Sequence, residues 1–66
     1  MKSKVTLIFP NDKEQIDIVQ ADPYESIKFI CRLRKIVFET SKIVRIGNEY
    51  EYPIRNGNII HARQIA

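Results

Sequence analysis

The stretch ADPYESIKFICRLRKIVFE, residues 21–39, decides how the rest of the chain is read. Asp22 stands where an N-cap carboxylate can accept from the free N–H groups of a first helical turn. Pro23 follows at a position where a missing N–H costs nothing, and Glu25, three residues after the cap, can complete a capping box. On a 3.6-residue period, Ile27, Ile30, Cys31 and then Leu33 or Arg34 fall along one side, while Lys28, Arg32 and Lys35 gather opposite. The spacing predicts a helix from Asp22 to about Val37 whose apolar side covers a sheet. Arg32, Arg34 and Lys35 suit the negative end of its dipole. Phe29 and Ile36 lie on the flank and are expected to extend the core beneath the following loop.

Working outward, residues 4–9 alternate, with Val5, Leu7 and Phe9 on one face and Lys4, Thr6 and Ile8 on the other. Pro10-Asn11-Asp12-Lys13 supplies turn chemistry. Residues 15–20 alternate again, with Ile16 and Ile18 expected inward, so the two runs read as a hairpin whose apolar faces coincide. Beyond the helix, KIVRIGNEYEY reads as two short strands joined at Gly47-Asn48, a pair suited to a two-residue type II′ turn. Pro53 shortens the second of them or puts it at an edge. Asn56-Gly57-Asn58 makes another turn, and residues 59–65 close the chain as a strand with Ile60 and Ala62 inward and Ile59, His61, Arg63 and Ile65 outward. The order is ββαβ(β)β within one α+β domain spanning residues 1–66.

Sixty-six residues bury only about 60% of the surface of the unfolded chain, so a core this small leaves little room for an elaborate active site. Twelve isoleucines against two leucines favour sheet, because β-branched side chains fit a pleated, half-buried surface. A net charge of +3 tolerates an acidic partner without being the charge of a dedicated nucleic-acid binder. One cysteine cannot form an intrachain disulfide, and the start MKSKVTLIFP lacks a signal peptide's apolar core, so a cytoplasmic protein is expected. No apolar run reaches membrane-spanning length, and no membrane partner is expected. The frequent Lys, Ile and Asn suit an AT-rich bacterial or phage genome.

A hairpin, one covering helix and a last strand entered through Asn56-Gly57-Asn58 resemble the β-grasp fold of ubiquitin-like proteins. That resemblance implies a mixed four- to five-stranded sheet covered on one face by the helix, with the last strand parallel to the first in its middle. Sulfur-carrier members of the family act through a flexible Gly-Gly tail, whereas Gln64-Ile65-Ala66 stands here. The ending is more similar to the ubiquitin-like proteins associated with type VII secretion, which lack that tail and are taken to act by binding. By analogy with the exposed patch of ubiquitin, the resemblance implies partner contacts at Ile8, Val44 and His61, with Arg45 and Arg63 close by.

No constellation in the chain carries catalysis. His61 is the only histidine, so zinc spacing is absent, and neither a metal nor a cofactor is expected. Cys31 sits on the apolar helix stripe and reads as a small hydrophobe. Asp22 and Glu25 are occupied with capping, Asp12 and Glu14 belong to a turn, and both glycines fall in turns where they cradle no phosphate. The expected function is therefore non-enzymatic binding of a protein through the open sheet face, with Ile8, Val44, Arg45, His61 and Arg63 as contacts, an apolar centre within a basic rim. The protein itself is expected to be a monomer or weak homodimer. The first alternative is nucleic-acid binding on the same face, with Arg45, His61 and Arg63 on phosphates and Tyr50 or Tyr52 stacking on bases, and the second, ranked below it, is a sulfur-carrier-like role. Strand parity limits both binding readings, since Arg45 and Val44 cannot share a face without a bulge.

Overall fold

The computed structural model describes residues 1–54 and 57–66. Its elements are strands β1 (Ser3–Ile8) and β2 (Glu14–Val19), helix α1 (Pro23–Leu33), a short 3-10 turn (Thr40–Lys42), and strands β3 (Val44–Ile46), β4 (Glu49–Pro53) and β5 (Ile59–Gln64). The strands form one sheet in the order β2-β1-β5-β4-β3, and α1 packs across β1, β5 and β4.

Every pairing in this sheet is antiparallel, including β1 with β5. The expected mixed sheet, with β5 parallel to β1, is therefore not formed. The reason lies in the optional strand of the predicted order. Without it, one reversal after the helix would bring the last strand up parallel to β1. Because β4 is a full strand inserted between β3 and β5, the chain makes one more reversal and β5 arrives in the opposite sense.

The β1–β2 connection has a similar effect on which side chains face the core. The Asp12 N–H donates to the Phe9 carbonyl at 3.0 Å and the Phe9 N–H to the Lys13 carbonyl at 2.9 Å, closing a three-residue loop with Asp12 in the left-handed region at φ 65°. A loop of odd length pairs Val5 with Asp17 and Leu7 with Gln15, so odd positions face odd positions. Ile16 and Ile18 consequently leave the core face, where they were expected, and stand 50% and 55% exposed on the opposite side. In the β3–β4 hairpin, Gly47 has φ 61° whereas Asn48 is not among the residues with positive φ, consistent with the expected type II′ turn. The turn expected at Asn56-Gly57-Asn58 begins outside the described residues.

Helix α1 starts as its sequence predicts: the Glu25 N–H donates to the Asp22 carboxylate at 2.8 Å, while the Glu25 carboxylate turns to Lys28 at 3.7 Å instead of closing the capping box. It ends at Leu33, a turn short of the expected Val37. Lys35 adopts φ 58°, its N–H donates to the Arg32 carbonyl, and the Ile36 N–H donates to the Cys31 carbonyl at 2.7 Å. These are the two bonds of a Schellman ending, which satisfies the last carbonyls and turns Ile36 back against the core. Phe29 remains 48% exposed instead of extending the core, and Leu33 also faces outward.

The core consists of Val5, Leu7, Ile27, Ile30, Cys31, Tyr52, Ile60 and Ala62. Tyr52 is its largest member and also its one polar anchor. Its hydroxyl donates to the Val37 carbonyl at 2.9 Å and accepts from the Glu39 N–H at 2.7 Å, fastening the segment after the helix. Phe38 stacks on Tyr52 at 5.0 Å, and Tyr24 meets both Phe38 and Tyr50 edge to face, tying α1 to β4. At the other end, the buried Ser3 hydroxyl donates to the Ala21 carbonyl at 2.7 Å, joining β1 to the start of the helix.

Candidate functional site

With α1 on one face, the other face of the sheet has no covering element among the described residues. Its side chains follow from register, since positions paired across neighbouring strands share a face. One row runs Ile16, Thr6, His61, Glu51, Val44, and the next runs Ile18, Lys4, Arg63, Glu49, Ile46. A third adds Ile8 and Ile59 between Glu14 and Pro53.

Four of the five expected contact residues thus share this face: Ile8, Val44, His61 and Arg63. Arg45 does not. It pairs with Tyr50, which pairs with the buried Ala62, so its row belongs to the helix side, and its Nε donates to the Gly47 carbonyl at 2.9 Å. Of the two registers that parity allowed, the strand adopts the one that exposes Val44 and turns Ile43 toward the core.

The arrangement reverses the expected apolar centre and basic rim. Apolar residues stand on the edge strands, Ile16 and Ile18 on β2 and Val44 and Ile46 on β3, each about half exposed. The middle of the face carries the charges. His61 Nε2 lies 2.5 Å from Glu49 Oε1, and Glu51 pairs directly with His61 across the β4–β5 ladder. Lys4 and Arg63 stand side by side on β1 and β5. Thr6 is almost buried although no element among the described residues lies above it.

Ile16, Ile18 and Ile46 were not anticipated as surface residues. For Ile16 and Ile18 the available signal was Pro10-Asn11-Asp12, since an Asp able to take positive φ after a Pro-Asn pair permits the odd loop that flips β2, whereas Ile46 shares the parity of Val44 on β3. Tyr50 and Tyr52, the expected base-stacking residues, are on the helix side, and Tyr52 is buried. Among the described residues there is no group of three His, Cys, Asp or Glu side chains placed to hold a metal ion. No helix among them is long and apolar enough to cross a membrane. Burial pushes the Cys31 thiol above its ordinary pKa, the opposite of what a thiolate nucleophile needs.

Comparison with protein-family models, with curated proteins and with solved structures finds no match to this chain.

Proposed function

We propose that this chain is a non-enzymatic protein-binding module whose contact surface is the uncovered face of its sheet. The observation that carries this reading is the set of half-exposed Ile16, Ile18, Val44 and Ile46 on a face with no covering element. In a core this small, four large apolar side chains left in water are an expense that burial against a partner removes, at roughly 25 cal/mol per Å² of apolar surface. Lys4, Arg63, Glu49, Glu51 and His61 lie between them and supply orientation and discrimination. The contacts are then Ile8, Val44, His61 and Arg63 as expected, joined by Ile16, Ile18 and Ile46. A reducing compartment such as the cytoplasm suits the one buried, unpaired thiol.

Kinship with ubiquitin-like proteins is part of this proposal only through the succession of elements, the single covering helix and the placement of β5 beside β1; the direction of β5 departs from that pattern. Nucleic-acid binding on the same face loses its stacking platform, because both tyrosines point toward the helix, and Glu49 and Glu51 sit among the basic groups.

The test is capture from the native host by wild type and by the double variant Ile18→Lys, Ile46→Lys. A specific protein retained by wild type and lost from the variant, with thermal melting little changed, is the expected result. The same protein retained equally by both overturns the assignment of this face. Ala at both His61 and Arg63 is expected to weaken that complex several-fold. Its affinity should respond only mildly to salt, whereas phosphate contacts would give a steep log-linear loss.

A further inference from the structure

We infer that the partner this face fits is a second copy of the same chain, packed face to face about a two-fold axis parallel to the strands and lying over β5. The inference rests on the protein-binding reading above and specifies the occupant. Its ground is a symmetry in the chemistry of the face. β5 is the middle strand of five, so such an axis lays β1 over β4 of the second copy and β2 over its β3. Along each row apolar then meets apolar and Lys4 meets Glu49, while the β5 residues on the axis, His61 and Arg63, meet their own counterparts. Ile18 falls over Ile46, Ile16 over Val44, and Ile59 over its own counterpart. Lys4 falls over Glu49 on both sides of the axis.

The charges within the face also balance. Lys4 and Arg63 are offset by Glu49 and Glu51, with Glu14 left over at one corner, so the two surfaces that meet carry little net charge although each chain carries +3. The two Arg63 side chains meet near the axis, where each has Glu49 of its own β4 as its cross-strand neighbour. A two-fold axis running across the strands fits worse, because it sets Glu51 over Glu51, Lys4 over Ile8 and Arg63 over Ile59, desolvating charge against apolar surface.

Aligned sheets pack at about −30°, and for strands about 4.8 Å apart this displaces β1 against β4 of the second copy by only ~2–3 Å, within reach of a lysine. Five strands of up to six residues present a face of roughly 400–500 Å² per copy by standard strand spacing and rise. The total of about 800–1,000 Å² lies below the standard size of specific interfaces, so the dimer is a weak one.

The experiment is sedimentation of the purified chain from ~10 μM to ~1 mM, as wild type, as Lys4→Glu, as Glu49→Lys, and as an equimolar mixture of the two variants. Wild type is expected to dimerise. Each variant alone puts like charges over one another at two symmetric places and should dimerise about tenfold more weakly or worse. In the mixture every one of those contacts is again between opposite charges, so dimers return. Ile46→Glu, at an exposed edge position, serves as a second disrupting variant if either charge reversal prevents folding. A wild type that stays monomeric throughout overturns the proposal, as do variants that dimerise like wild type or a mixture that associates no better than its components. A monomeric wild type that still captures a host protein through Ile18 and Ile46 overturns self-association alone and leaves the module reading standing.

Discussion

Lys35 carries a conformational cost that a single substitution removes. Its φ of 58° is the left-handed position of the Schellman ending, where a β-carbon is disfavoured and glycine is free. Lys35→Gly is expected to stabilise the fold by about 0.5–1 kcal/mol, read as a higher denaturation midpoint; an unchanged or lower midpoint would mean that the lysine side chain contributes more than its backbone costs. Tyr52 is the opposite case. Tyr52→Phe keeps the ring against Phe38 but leaves the Glu39 N–H and the Val37 carbonyl without their shared partner, a loss of about 1–3 kcal/mol. Cys31 supplies a pH signature. Burial raises its thiol pKa in the folded state, so the contribution is fully present below the pKa of the unfolded thiol and is lost as pH climbs through the folded value. The stability advantage of wild type over Cys31→Ala should therefore narrow as pH rises above the ordinary thiol range, and alkylation at neutral pH should require unfolding.

At the scale of elements, the helix start was legible in the sequence and the helix end was not. Asp22, Pro23 and Glu25 act within one turn of one another, so their chemistry is local, and Asp22→Ala is expected to cost about 1 kcal/mol, measured by chemical denaturation. The end at Leu33 depends on Ile36 finding the core, a contact that no spacing within the helix reveals. The strands show the same division. Alternation located β1, β2 and β5 and oriented β1 and β5 correctly, with Val5, Leu7, Ile60 and Ala62 all buried. It oriented β2 wrongly, because one left-handed residue at Asp12 moves every side chain of the strand to the other face.

Across the whole molecule, the outer strands of the open face carry Ile16, Ile18, Val44 and Ile46, and its middle strands carry the charges, with Ile8 and Ile59 at one end. Replacing Ile16 and Ile18 together by Thr is expected to leave the melting temperature within a few degrees of wild type, because neither belongs to the core under α1. A large loss of stability would place them in an intramolecular core after all. Four of the five contact residues expected from the sequence do share one face. Arg45 leaves that set because it alternates with Val44 and Ile46 on a three-residue strand, and only the turn at Gly47-Asn48 and the pairing with β4 choose which of them faces the helix.

Legible from the chain alone was what is local: an α+β chain, the capped start of one helix, the places of its strands, the turns at Pro10-Asn11-Asp12-Lys13 and Gly47-Asn48, and the buried side of β1 and β5. These follow from interactions among residues a few positions apart. Tertiary structure decided the direction of β5 and the composition of the open face. Both depend on parity, one on the number of chain reversals after the helix and the other on the number of residues in a turn. A change of one unit in either count reverses a strand or exchanges its faces, yet it leaves the hydrophobic pattern along the chain unaltered.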